Sequence, residues 1–327
     1  MSTESIERVT LERVTLIFPG ALGDFLLALP ALRALRARHA RARLTAVVNA
    51  PLVSLARLAA IGDEVASLDA AWSVWLFGGS VPPPWVAGRP TIYSWLGSGD
   101  PVTRTRLTQA ARAAHFFAIE RGAGSEHAAV AYAHAVGAPA GLTELGKAGR
   151  LCPPPSPVAD RIHAALRPPV LAIHPGAGAR RKRWALGGFV EVADWWRRRG
   201  GSVLEVAGPA EAGVEALRGA LLRDLPLADL AAVLAPAALY VGNDSGVSHL
   251  AGAVGAAGLV LFGPTQAGRW RPLAGSLTPL QALGTDPEGI PLAALPPALV
   301  VAECERIGGR LGGARPRSPV DKGGPRY

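Results

Sequence analysis

The chain has 327 residues, which at roughly 150 residues per domain makes room for about two domains, each with its own core. Apolar residues are 49% and charged residues 18%, a balance that excludes a disordered chain, and 39 glycines with 29 prolines show no collagen-like period. The net charge of +9 is spread along the chain and favours anionic ligands or surfaces; zinc-finger, RNP and basic-zipper patterns are absent.

The start, with its acidic and polar MSTESIERVTLER, lacks the apolar stretch of a signal peptide. Val14–Phe18 is a β-branched apolar run closed by Pro19-Gly20 and reads as a buried strand. A helix follows, with apolar Leu26, Leu29, Leu32 and Leu35, and then a strand at 43–48 and a helix at 51–61. This β-loop-α-β order predicts a parallel sheet with right-handed crossovers. Residues 101–121 and 126–136 read as further helices. Cys152-Pro-Pro-Pro-Ser-Pro157 suits neither helix nor central sheet and marks an interdomain boundary. The pattern then restarts: strand 170–174, helix 187–199, strand 202–207, helices 210–222 and 228–235, strand 238–242, helix 246–255 and strand 258–262. The expected organisation is an α/β domain over 1–157, a second over 158–312, and a disordered tail over 313–327. Ser245–Gly268, the longest uncharged run, holds six glycines and cannot be a spanning helix. Cys152 and Cys304 have no partner spacing, which excludes a disulfide framework or thiolate metal cluster and fits a reducing, cytoplasmic setting.

Three loops at predicted strand ends carry the chemistry, because open α/β sheets bind ligands there. In Gly20-Ala-Leu-Gly23-Asp24 two glycines permit a tight turn. Asp24 either caps the helix or acts as a general base facing a cleft. In His174–Trp184, Gly176 and Gly178 with a run of cations suit a diphosphate. Only three of the 34 basic residues are lysine, and Lys182 stands between Arg181 and Arg183, where a compact point charge suits one phosphate. In Asn243-Asp-Ser-Gly-Val-Ser-His249, Ser245 and Gly246 open a helix whose N-terminus can hold an anion. Asp244 can accept from sugar hydroxyls, and His249 lies about one turn further in. Tempting motifs fail. Gly141–Lys147 has P-loop spacing but Ala148 replaces the Ser/Thr and no strand precedes it; Gly176-Ala-Gly178 lacks the third glycine of a dinucleotide fingerprint; and no G-x-S-x-G elbow accompanies Ser245. Trp72, Trp75, Trp85 and Trp95 read first as packing or loop anchors, and alternatively as a rim for a lipid-linked acceptor.

Taken in order, Gly20–Arg33, His174-Pro-Gly with Lys182-Arg-Trp184, Ala207-Gly-Pro-Ala-Glu211, Val241–Ala251 and Leu261-Phe-Gly-Pro-Thr265 give a chain that resembles glycosyltransferase family 9, the ADP-heptose–lipopolysaccharide heptosyltransferases and their relatives. The resemblance implies a GT-B architecture, in which two Rossmann-like domains with parallel sheets face a central cleft. The N-terminal half takes an anionic glycan or lipid-linked acceptor, and the C-terminal half a nucleotide-sugar such as ADP-heptose. It implies Asp24 as catalytic base, Lys182 on the diphosphate, Asp244, Ser245, Gly246 and His249 lining sugar and phosphates, and Glu211 near the ribose. On the acceptor side Gly23, Arg33 and Arg36 are expected, with Arg104, Arg106 and Arg112 as further contacts to an anionic acceptor. The expected reaction is inverting transfer without a metal or cofactor, on a lipopolysaccharide-like acceptor, with peripheral contact at the inner membrane face and no nucleic acid. Two alternatives stand beside it: a non-catalytic nucleotide-sugar-binding protein of envelope assembly, and a sugar-nucleotide epimerase on the same architecture.

Overall fold

A computed structural model of the chain describes residues 12–122, 124–208, 217–282, 292 and 295–312. The N-terminal half carries strands β1 (Arg13–Phe18), β2 (Arg43–Val48), β3 (Glu64–Ser67), β4 (Thr91–Ser94) and β5 (Ala113–Phe116). Its helices are α1 (Leu22–Arg38), α2 (Val53–Leu58), α3 (Pro101–Ala110), α4 (Ala128–Ala135) and α5 (Leu142–Ala148). The C-terminal half carries β6 (Val170–His174), β7 (Ser202–Ala207), β8 (Ala220–Arg223), β9 (Leu239–Asn243), β10 (Ala257–Phe262) and β11 (Ser276–Gln281). Its helices are α6 (Pro157–Ala164), α7 (Leu186–Arg198), α8 (Leu227–Leu234), α9 (Gly246–Ala253), α10 (Ala267–Trp270) and α11 (Pro297–Gly312).

Each half is an open, all-parallel sheet. The strand orders are β3-β2-β1-β4-β5 and β11-β10-β9-β6-β7-β8. Strands β6 and β9 are buried along their whole length, which explains their nearly unbroken apolar sequences: helices cover both faces of the sheet. The order reverses direction between β1 and β4 in the first sheet and between β6 and β9 in the second. Loops leaving the carboxyl ends of strands at such a reversal diverge and leave a crevice between them. Asp24 follows β1, Lys182 follows β6 and Asp244 follows β9, so the topology brings all three loops to crevices.

Helix α1 joins the halves. Its residues from Phe25 to Leu32 are all buried, and so is Leu35, so it is apolar nearly all round, as a helix must be when a sheet lies on one side and α9 of the other half on another. Side chains such as Phe25, Leu29 and Leu32 each contribute about 1.5–3 kcal/mol of burial there. The seam continues where the Leu151 amide donates to the Ala253 carbonyl at 2.8 Å.

Several expectations are corrected. The stretch 101–121 is not one helix: α3 ends at Ala110, and 113–116 pair with β4 as the edge strand β5. Alanine's helical preference is overridden there by a free sheet edge. The predicted helix 210–222 falls partly on residues outside those described; its last three residues, 220–222, belong to strand β8 beside β7. The tail 313–327 also lies outside the described residues. Arg33 and Arg36, expected on the acceptor side, do not line the interdomain cleft. The Arg33 guanidinium donates to the carbonyls of Ala59, Ala148 and Arg150, stitching α1 to the segments around it. Arg36 pairs with Asp63 at 2.7 Å and donates to the Ala42 carbonyl. Arg104 lies over the Phe116 ring, Arg106 donates to the Trp75 and Gly79 carbonyls, and Arg112 pairs with Glu12. Each is engaged in holding its own domain. The tryptophans pack rather than form a rim: Trp85 and Trp95 are buried, and Trp72 and Trp75 stand edge-on to Trp85.

Candidate active site between the two domains

A cleft of about 820 Å3 opens where the halves meet. Gly23 and Asp24 line one wall; Gly178, Lys182, Asp244, Ser245, Gly246 and His249 line the other. Gly176, read as part of the phosphate loop, is buried behind this wall and does not line it. Glu211 lies outside the described residues.

Both walls are built from helix starts. In α1, Asp24 is the third helical residue, and its carboxylate accepts from the amide of Ala21, the N-cap. This is the returning half of a capping box. In α9 the N-cap is Ser245, whose hydroxyl accepts from the Ser248 amide at 3.3 Å. The first amides of a helix have no partner within it, so Gly246 and Val247 carry donors that the α9 ladder leaves over. The helix dipole adds about half a positive charge there. The two starts meet closely at their glycines, each against a side chain of the other helix. A Cβ on Gly246 would sit 2.8 Å from Leu22 Cβ, and one on Gly23 would sit 3.2 Å from His249 Cδ2. Glycine at both positions lets a carboxylate on one helix and an anion site on the other share one space.

The β6 and β9 loops are braced by Asn243. Its Oδ1 accepts from the Trp184 amide at 3.1 Å, and its Nδ2 donates to the Pro175 carbonyl at 2.7 Å. The Ser248 hydroxyl donates back to the Asn243 carbonyl and meets the Tyr240 hydroxyl at 2.9 Å. On this frame Lys182 Nζ lies 2.7 Å from Asp244 Oδ2, and Thr265 Oγ1 donates to the same oxygen at 2.5 Å. Asp244's side chain is only 6% exposed, while that of Lys182 is 26% exposed, so the cation reaches from a buried carboxylate toward the cleft.

Electrostatics separates the two walls. Burial pushes the Asp24 carboxyl up, and the Ala21 amide, Arg121 and Lys182 pull it part of the way back. A raised carboxylate in a cleft is suited to taking a proton. Burial lowers His249 to about 4, against a smaller opposing pull from Asp244. His249 is therefore a neutral imidazole at pH 7 and offers a hydrogen bond rather than a charge.

Three groups at this cleft escaped the sequence reading. Thr265 lies in a quoted motif, but nothing in its type announces that it shares Asp244 with Lys182. Arg269 lines the cleft, and the Arg121 charge acts on Asp24, only because the fold brings Glu120, Glu126 and His127 against Arg269 and Arg271. A second, apolar cavity of about 280 Å3 lies on the far side of Ala21 and is walled by Leu22, Leu52, Val206, Gly208, Leu225 and Leu230.

Residues 146–287 match the family model of glycosyltransferase family 9 (heptosyltransferase). This stretch is a glycosyltransferase family 9 domain. It contains the Lys182, Asp244 and Thr265 cluster and the whole wall around it. No curated protein matches the sequence. Solved structures show the fold over both halves of the chain. The glycosyl transferase family 9 from Veillonella parvula DSM 2008 superposes with a TM-score of 0.73 at 18% identity, covering 91% of this chain and 98% of its own. The ADP-heptose lps heptosyltransferase II of E. coli gives 0.68 at 16%, covering 92% and 99%. The E. coli heptosyltransferase WaaC with ADP gives 0.65 at 18%, covering 90% and 99%. The two parallel-sheet halves are thus a GT-B pair, with the family 9 domain supplying the second half.

Proposed function

We propose that the chain is an inverting glycosyltransferase that moves a sugar, heptose in the first instance, from an ADP-linked donor to a hydroxyl of a lipopolysaccharide core or related glycan. One observation carries the reading: Asp24 stands on one wall of the interdomain cleft, and Lys182, Asp244 and the start of α9 on the other. The relatives whose structures hold ADP or an ADP-heptose analogue support the choice of nucleotide.

In the proposed reaction the acceptor hydroxyl attacks the anomeric carbon from the Asp24 side. Asp24 takes the hydroxyl proton, and the bond from that carbon to the diphosphate oxygen breaks. The electron pair leaves with the nucleoside diphosphate. Lys182 and the amides of Gly246 and Val247 receive its charge, so the reaction uses no divalent ion. Attack opposite the departing group inverts the configuration. Before donor arrives Lys182 is paired with Asp244; the diphosphate competes for that cation, and Asp244 is freed for sugar hydroxyls. The apolar cavity beside Ala21 receives the base, which stacks among Leu22, Val206, Leu225 and Leu230.

The test is a panel of ADP, UDP and GDP, with their sugars, scored by thermal shift. ADP and ADP-sugars should raise Tm by several degrees, more than the other nucleotides. A flat response to every diphosphate sinks the reading.

The proposed setting is the cytoplasmic face of the inner membrane, where a lipid-linked acceptor is within reach. Among the described residues no helix is long and apolar enough to cross a membrane, so contact is peripheral. The acceptor half offers a surface for it: four of the six exposed large hydrophobic side chains among the described residues, Val74, Phe77, Val81 and Val102, sit on the 3-10 turn Ala71–Phe77, the segment after it and α3. Arg106 ties α3 to that turn. Between residues 70 and 119 the charged side chains are four arginines and Asp100; Asp100 is occupied as the α3 N-cap, and of the arginines only Arg112 pairs with a carboxylate, Glu12, among the described residues. Apolar side chains among cations suit an anionic lipid surface. Phosphatidylglycerol vesicles should sediment the protein and phosphatidylcholine vesicles should not, and a Phe77→Ser/Val81→Ser variant should lose about tenfold in partitioning. Equal sedimentation of that variant overturns this surface.

A further inference from the structure

Part of the acceptor-side wall is a loop of the N-terminal half, residues 120–122 and 124–127, yet the side chain that holds it comes from the other half. Arg269, on α10, is only 5% exposed. Its Nη2 donates to Glu120 Oε2 at 2.6 Å and its Nη1 to the Glu126 carbonyl at 2.8 Å, so one guanidinium spans both ends of the loop. The Trp270 ring stacks 5.1 Å from it. A parallel bond joins His127 Nε2 to the Arg271 carbonyl at 3.1 Å. The Glu120 amide in turn donates to the Tyr132 hydroxyl, tying the loop back to α4.

The chain passes Arg269 closely. A Cβ on Gly124 would sit 2.4 Å from its Nη1, so a side chain there must displace the guanidinium. Burying a cation is costly, and an apolar pair would close a seam between domains more cheaply. Here the charge is kept where the loop meets the cleft. Between the two anchor points stand Arg121, whose charge acts on Asp24, and Gly122, Gly124 and Ser125, which line the cleft. Arg269 lines the same cleft.

We propose that Arg269 is a positioning residue for the acceptor: by clasping Glu120 and Glu126 it holds the acceptor-side wall and the Arg121 charge in register with Asp24, so that the donor-binding half sets the shape of the acceptor half. This rests on the transfer reading above. It makes the two substrates' sites interdependent through one side chain that bonds to neither.

The test compares Arg269→Met, Arg269→Lys and Gly124→Ala in the full chain, with ADP as donor-site probe and a truncated lipopolysaccharide core as acceptor. Arg269→Met should raise acceptor KM about tenfold and leave ADP Kd within twofold. Gly124→Ala removes no charge and should move acceptor KM the same way by pushing the guanidinium aside. Arg269→Lys keeps a cation at Glu120 and should recover part of the loss. Amide exchange across 118–127 should quicken about tenfold in Arg269→Met and Gly124→Ala, with 244–252 unchanged. Wild-type acceptor KM in both variants, or ADP Kd weakening in step with it, overturns the proposal. Absence of ADP binding by the wild-type chain would bring down the transfer reading instead; exchange across 118–127 then decides alone, and unaltered protection sinks the clasp.

Discussion

Asp24→Asn should lower transfer by about 10^2- to 10^4-fold, the range a positioned general base supplies, while ADP Kd stays within twofold. Asparagine keeps an oxygen able to accept from the Ala21 amide, so the α1 cap survives and the loss reports proton transfer. Stability gives an independent check. Burial raises the Asp24 carboxyl, so the folded chain holds that proton more tightly than the unfolded chain, and stability falls as pH rises through the folded value. At neutral pH the ionised carboxylate therefore costs stability. Asp24→Asn should melt at or above the wild-type Tm at pH 7, and the difference should vanish in acid. For the wild type, kcat/KM should rise with pH along a limb displaced above the usual carboxylate range. Near wild-type turnover by Asp24→Asn removes it as base and favours a non-catalytic donor-binding protein; donor turnover with no acceptor present favours epimerisation.

Lys182→Met should weaken ADP by about 100-fold, equivalent to about 2.8 kcal/mol. It should also destabilise the fold, for a different reason: Asp244 is nearly buried and, among the described residues, its carboxylate would keep only the Thr265 hydroxyl. Losing one partner of a buried pair costs up to about 3–5 kcal/mol, and the partial exposure of the Lys182 head reduces this to about 1–3 kcal/mol. The double variant Lys182→Met/Asp244→Asn separates the two effects. It should regain most of the lost Tm, as the uncompensated charge is gone, and none of the lost affinity. Unchanged ADP Kd in the single variant would mean that the cation serves only Asp244.

The parts of the site that were legible in the sequence are those carried by strand-loop-helix units. Asp24, Lys182 and the Asn243–His249 loop each follow a strand of continuous apolar residues and precede or open a helical segment, so their placement at the carboxyl ends of strands followed from pattern, while the strand order that puts those ends at sheet reversals did not. Short edge strands were not legible: 113–116 reads Ala-Ala-His-Phe and 220–223 Ala-Leu-Leu-Arg, and neither shows period-two alternation. The roles of the arginines were not legible either. Arg33 and Arg36 look like ligand contacts by their nearness to Asp24. Along a helix, however, nine and twelve residues are about 13 and 18 Å, and the side chains end on carbonyls and a carboxylate of their own domain. Long cations find partners through tertiary contact, and spacing along the chain says nothing of it.

The meeting of α1 and α9 through Gly23 and Gly246 has an evolutionary consequence. A side chain at Gly23 would press on His249 and one at Gly246 on Leu22, so the span between Asp24 and the start of α9 depends on two bare α-carbons and should tolerate change everywhere but there. Recombining the front half of one such enzyme with the rear half of another should preserve chemistry and exchange only substrate preference, provided both glycines are inherited together.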